Sequence, residues 1–237
     1  MSDSHGSWEP SARVAELLFT DFDGTAAADP DDVISEGLDG GYRERSEALK
    51  EVLRDPDEDP AGRFLACVAL TRWADTVGYE AVVRAARSPE SAVWRGASYD
   101  RLHGQDDTFG VLADAVGDSA DMVEERGTAT ERLQAAEALL NLAGQVQFDR
   151  HISALLRREL VAVLLPAVTA GVERGIARLA EEQPSYDLGL QLALMIAAAH
   201  RVDATWGLDA ARRLIAVKPG ERAVTELHDA IPETLQA

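Results

Sequence analysis

The chain of 237 residues carries 42 acidic and 23 basic side chains, a formal net charge of −19 at pH 7. Such a surface repels phosphate backbones and argues against direct nucleic-acid binding, while it attracts basic proteins and speeds encounter with them. Cys67 is the only cysteine, which excludes a disulfide framework and a thiolate metal cluster; the apolar residues are dominated by Ala and Leu, a mix that favours helix over sheet.

The stretch Met1-Ser2-Asp3-Ser4-His5-Gly6 lacks the basic and apolar blocks of a signal peptide, so a cytoplasmic location is expected. The first sixty residues hold 17 acidic and 5 basic side chains, a net charge of −12, and so carry most of the excess. Pro10 opens a short helix that runs to Phe19, Asp21 to Asp32 is rich in turn residues, and Asp31-Asp32 begins another short helix. Tyr42 to Arg54 is amphipathic, with Ala48, Leu49, Val52 and Leu53 on one face. Asp55-Pro56-Asp57-Glu58-Asp59-Pro60 stops that helix and starts the next, because Pro cannot continue a helix but suits its first turn.

From Ala61 the pattern repeats. A helix over Ala61–Ala74 is followed by a short break at Asp75-Thr76, a second helix around Tyr79–Ala86, and a stop at Ser88-Pro89. Arg63-Phe64-Leu65-Ala66-Cys67-Val68-Ala69-Leu70 is echoed 69 residues later by Arg132-Leu133-Gln134-Ala135-Ala136-Glu137-Ala138-Leu139. A weaker copy, Arg95 to Leu102, lies 32 residues after the first, inside a second unit running from Ala92 to Val116. Helices are expected at Glu131–Ala143, His151–Val163, Ile176–Glu182, Tyr186–Arg201, Trp206–Val217 and Glu221–Ile231, with no strand run. The longest apolar stretch, Leu188–Ala199, is too short to span a bilayer. A period in the thirties fits a helix pair that cannot bury its own apolar face and must stack on a neighbour.

The run Asp57-Glu58-Asp59-Pro60, then Arg63, Ala66, Ala69 and Leu70, a tight turn and a Val-rich second helix resembles a HEAT or HEAT-like repeat. The resemblance covers residues 57–163 and, more weakly, 184–217. It implies an all-α solenoid of four to five helix pairs in a right-handed superhelix: an acidic helical cap over 1–56 and one continuous array over 57–237. It also implies a binding habit rather than an activity. The expected role is non-catalytic protein binding without a cofactor, as an adaptor or as an inhibitor or immunity-type protein that masks a basic partner. Neither nucleic acid nor membrane is expected as a partner. The family also contains alkylated-base DNA glycosylases, which grip DNA through a basic concave surface, and this chain's overall charge is opposite.

A second resemblance points to another class. Leu17-Leu18-Phe19-Thr20-Asp21-Phe22-Asp23-Gly24-Thr25 is similar to the first motif of haloacid-dehalogenase-like phosphatases, and Gly117-Asp118-Ser119-Ala120-Asp121 to their acidic metal motif. It implies Asp21 as nucleophile, Asp23 as general acid and base, and magnesium on Asp118 and Asp121. Against it, that fold needs a parallel sheet and a cation between the motifs. No Val/Ile-rich strand occurs between them, no Lys lies between Lys50 and Lys218, and Arg84 and Arg87 fall in repeat helices.

Candidate binding residues are the acidic run Asp55, Asp57, Glu58 and Asp59, with Trp8, Trp94 and Trp206 as aromatic anchors. Trp73, Leu65, Val68, Leu139 and Leu140 are expected in the core, and Cys67 as a buried inert thiol. His103, His151, His200 and His228 are too scattered to form a site.

Overall fold

The computed structural model describes residues 8–100 and 105–236, and the chain is all-α, 74% helical. Among the described residues the only sheet is the antiparallel pair β1 (Tyr99–Asp100) and β2 (Gln105–Asp106), with an isolated bridge between Thr20 and Ala26. The helices are α1 (Ala12–Leu18), α2 (Pro30–Glu36), α3 (Tyr42–Arg54), α4 (Pro60–Arg72), α5 (Thr76–Arg87) and α6 (Thr108–Asp118). They continue with α7 (Val123–Arg126), α8 (Ala129–Leu142), α9 (Arg158–Glu181), α10 (Leu188–His200), α11 (Ala204–Ala216) and α12 (Glu221–Ala230).

Much of the acidic composition is spent on helix starts. The carboxylates of Asp29, Asp59, Asp75, Asp187 and Asp203 each accept a backbone N–H in the first turn of α2, α4, α5, α10 and α11. Each satisfies a donor that the helix cannot, and its charge meets the positive end of the helix dipole. Pro30 and Pro60 occupy first-turn positions, where a missing N–H costs nothing.

The helices pack in two rows. One row runs α4, α6, the 3₁₀ helix Asp149–Leu155, α10 and α12; the other runs α5, α8, α9 and α11, each element touching the next. Across the rows α4 meets α5, α6 meets α8, and α10 meets both α9 and α11, while α3 covers α4. Small residues let the backbones close up. A Cβ on Gly78 would lie 2.5 Å from the Thr71 amide nitrogen, and one on Gly171 would lie 2.5 Å from the Leu140 carbonyl oxygen. Ala66, Ala69, Ala135 and Ala136 are fully buried for the same reason, with Leu139, Leu140, Trp73 and Tyr79 filling the space between helices.

Two polar nodes hold the stack. Asp75, 3% exposed, accepts from Lys50 Nζ at 2.9 Å and from an Arg126 guanidinium nitrogen at 2.7 Å while capping α5. It therefore ties α3, α5 and α7 together. Gln191, wholly buried in α10, accepts from the amides of Phe148 and Asp149 at 2.7 and 3.0 Å and donates to the carbonyls of Ala143 and Val146. One side chain thus satisfies the turn leading from α8, where Asp149 takes a left-handed φ of 47°.

The expectations from the sequence need four corrections. The weak copy at Arg95–Leu102 is not helical where it is described: residues 92–98 form turns, with Gly96 at φ 74°, and residues 101–104, which include His103, lie outside the described residues. The expected helix His151–Val163 is divided, because a 3₁₀ turn ends at Leu155 and α9 begins at Arg158. α9 then runs unbroken through Pro166, bending at Leu164 (φ −100°, ψ 17°) instead of stopping. Leu65 is only partly buried; Phe64, 3% exposed, takes the core position beside Val68. α9 has the length and hydropathy of a membrane span, yet it carries Glu173, Arg174 and Arg178 and packs between α8 and α10 as a core helix.

Candidate functional site

The acidic run lies in the turn between α3 and α4, and most of it is engaged locally. Asp55 accepts the Asp57 amide, Glu58 accepts the Ser11 hydroxyl at 2.9 Å, and Asp59 caps α4 through the Ala61 amide at 2.8 Å. Only Asp57 has no role in holding the turn. A cluster of exposed carboxylates without a cation within ion-pair distance among the described residues is instead formed by Asp32, Glu36, Asp39 and Glu44, on and between α2 and α3.

The tryptophans separate by environment. Trp8 is 39% exposed and leans on Phe19, with ring centroids 6.3 Å apart. Trp206 is partly buried at the start of α11. Trp94 is 5% exposed, and its Nε1 is a buried donor with no acceptor. Trp73 is fully buried and donates to the Ile34 carbonyl at 2.8 Å, while burial pushes the Cys67 thiol up to about 12.

Asp21 and Asp23 sit in a tight loop that closes on itself. Asp21 accepts from the Thr25 hydroxyl at 3.3 Å and Asp23 from the Thr25 amide at 2.8 Å, which holds the Asp23 carboxyl below its usual value. Arg45 pins the loop from beneath, donating to the carbonyls of Leu17, Thr20 and Asp21 with its guanidinium 3.8 Å over the Phe22 ring. Leu17 and Leu18 end α1, where a phosphatase motif would need a strand. Asp118 turns to Arg72 at 3.5 Å, and Asp121 is exposed. Among the described residues no three His, Cys, Asp or Glu side chains come together to hold a metal. His151 Nδ1 meets Asp114 at 2.5 Å, and that hydrogen bond raises the histidine's pKa above 6.5.

One extended concave feature was not read from the sequence. Along α5 three depressions share walls and form one open groove between α5, α8 and α9. The part facing α8 and α9 encloses about 680 Å³ and is lined by Arg87, Gln134, Glu137, Asn141 and Arg174. The opposite end encloses about 570 Å³ over an apolar floor that includes Leu53, Val77, Val93 and Trp94, with Arg54, Arg63 and Arg84 around it. Five arginines therefore border the groove against the carboxylates Glu80, Glu131 and Glu137, reversing locally the balance of the whole chain. None of the five has an ion-pair partner among the described residues. The arginines span positions 54 to 174, and only Arg84 and Arg87, three apart on one helix, gave a local signal. No protein-family model matches the chain, and it has no significant match among curated proteins or solved structures.

Proposed function

We propose that the chain is a non-catalytic, HEAT-like α-solenoid that binds another protein along the open groove of α5, α8 and α9. The observation that carries this reading is the groove itself: long, continuous across three helices, and bordered by arginines that lack carboxylate partners. Support for the solenoid comes from the order of the rows, in which α4, α6 and the 3₁₀ helix on one side and α5, α8 and α9 on the other each stack on the next, with α4 meeting α5 and α6 meeting α8 across the rows. In such a stack the second helices of neighbouring pairs lie side by side and present one extended face. A photo-crosslinking residue placed at exposed Gln134 should capture a protein partner in cells that express the chain, and the same residue at Arg212, on α11 outside the groove, should not. Equal capture at both positions, or at neither, would remove the groove from the account.

A second role rests on a different surface. The unpaired carboxylates Asp32, Glu36, Asp39 and Glu44 suit a basic partner, as an inhibitor or immunity-type protein would need. The two readings are compatible, because the surfaces share only α3, with Glu44 in its first turn and Arg54 at its last residue. The phosphatase alternative is tested by magnesium-dependent hydrolysis of a generic phosphomonoester: none is expected, and turnover abolished by Asp21→Asn would overturn the binding account.

A further inference from the structure

The Trp94 end of the groove combines three features not found together elsewhere among the described residues. Its floor is apolar and open, with Val93 53% exposed at the rim and room for one or two large side chains in about 570 Å³. Its wall carries Arg54, Arg63 and Arg84 against a single carboxylate, Glu80. Arg54 and Arg84 make no hydrogen bond or ion pair among the described residues, and Arg63 uses only Nε, donated to the Leu53 carbonyl at 3.1 Å. Finally, Trp94 in the floor has an indole N–H buried without an acceptor. A buried donor left unpaired costs about 1–3 kcal/mol.

We infer that this cavity receives an acidic segment of the partner protein, seating one bulky apolar residue on the floor and flanking carboxylates on Arg54, Arg63 and Arg84. The inference rests on the protein-binding reading and names the chemistry that the groove selects. Charge complementarity decides the class of occupant. Within a screening length of about 8 Å the arginines dominate what a short carboxylate-bearing segment meets. A nucleic acid extends its phosphates well beyond that length, into the field of a chain of net charge −19. Arginine also forks onto carboxylates in bidentate fashion, and the apolar floor supplies the anchor that such ion pairs lack when exposed.

The test is an unbiased selection of random peptides displayed on phage against the full-length chain, followed by anisotropy titration of the enriched peptides. The expected winners carry several Asp or Glu around one Leu, Phe or Trp. Their affinity should fall at least about tenfold in Arg54→Glu/Arg84→Glu and stay unchanged in Arg157→Glu/Arg158→Glu, whose arginines are exposed outside the groove. Circular dichroism of both variants should match the parent. Enrichment of basic peptides, of nothing, or of acidic peptides indifferent to Arg54→Glu/Arg84→Glu would overturn the inference. A labelled single-stranded oligonucleotide that binds the parent and is lost in the same variant would also overturn it, in favour of nucleic acid. Crosslinking at Gln134 tests the wider protein-binding reading separately, so either can fail without the other.

Discussion

The acidic face of α2 and α3 and the arginine groove of α5, α8 and α9 carry opposite charge by opposite means. On the acidic face carboxylates outnumber cations and many stand free, while the few cations there are tied down: Arg43 to Glu125 at 2.5 Å and Lys50 to Asp75 at 2.9 Å. In the groove none of the five arginines has an ion-pair partner among the described residues, though Arg63 and Arg174 donate to the carbonyls of Leu53 and Asn141, and the carboxylates around them are few. A net charge is a sum, and the sum of −19 describes the first face while concealing the second. The contrast also shows that an acidic residue need not be an acidic surface. Five aspartates of this chain are helix caps, and a sixth carboxylate, Glu58, ties the α3–α4 turn to Ser11.

The two regions meet at Asp75, which Lys50 reaches from the acidic side and which starts the groove helix. The largest expected effect is therefore Asp75→Ala. Removing one partner of a buried ion-pair network leaves uncompensated charge and costs about 3–5 kcal/mol, here with the α5 cap lost as well. Urea denaturation should show a loss of that size, and a loss under about 1 kcal/mol would mean the two regions are not joined through this residue. Leu139→Ala comes next. It opens a cavity behind the groove at a fully buried position and should cost about 2–5 kcal/mol. If that variant melts like the parent, the register of α8 against its neighbours is wrong.

How much of this was legible in the sequence follows from the range of the signals. Helix bounds set by local chemistry came through closely: Tyr42–Arg54 coincides with α3, and the Pro60 and Asp75 signals mark the starts of α4 and α5. The second repeat copy failed because Arg95-Gly96-Ala97 keeps the spacing of a helix while Gly96 adopts a positive φ that ends one. The stretch between the expected helices His151–Val163 and Ile176–Glu182 holds Pro166 and Gly171, local signals of a break, whereas the continuity of α9 comes from packing on α8 and α10. Of the designated binding residues, Trp94 does line the groove, but as buried floor, and the acidic run turned out to hold its own turn. The groove needed tertiary structure, since its arginines lie on four helices and come together only when the rows stack.

A milder pair of variants separates structural from surface carboxylates. Asp59→Ala removes the α4 cap and should cost about 1 kcal/mol. Replacing Asp32, Glu36, Asp39 and Glu44 by their amides should leave thermal stability almost unchanged, because exposed charges contribute little. It should nevertheless slow association with a basic partner and flatten the salt dependence of that rate. Equal on-rates for parent and quadruple variant would assign the acidic face to solubility alone.

The smallest effect distinguishes this chain's one described histidine–carboxylate pair from its many arginine pairs. His151 donates from Nδ1 to Asp114, and that bond, with Asp107 and Asp149 nearby, raises its folded pKa above 6.5. A folded pKa above the unfolded one means that the folded state holds the proton more tightly. The stabilisation is therefore complete below about 6.5 and is lost as pH rises through the raised folded value. The side chain is 33% exposed, so the effect is held under about 1 kcal/mol by solvent screening. Thermal melts of the parent and of His151→Gln should differ most near pH 6 and converge at higher pH. The carboxylate of Glu125, held low by Tyr42 and Arg43, titrates only below its usual value of 4.5 and so does not enter this window. Asp114→Asn should abolish the pH dependence of the difference. If the difference instead grows with rising pH, the imidazole is neutral in the fold and the ring contributes by packing against Gly110 alone.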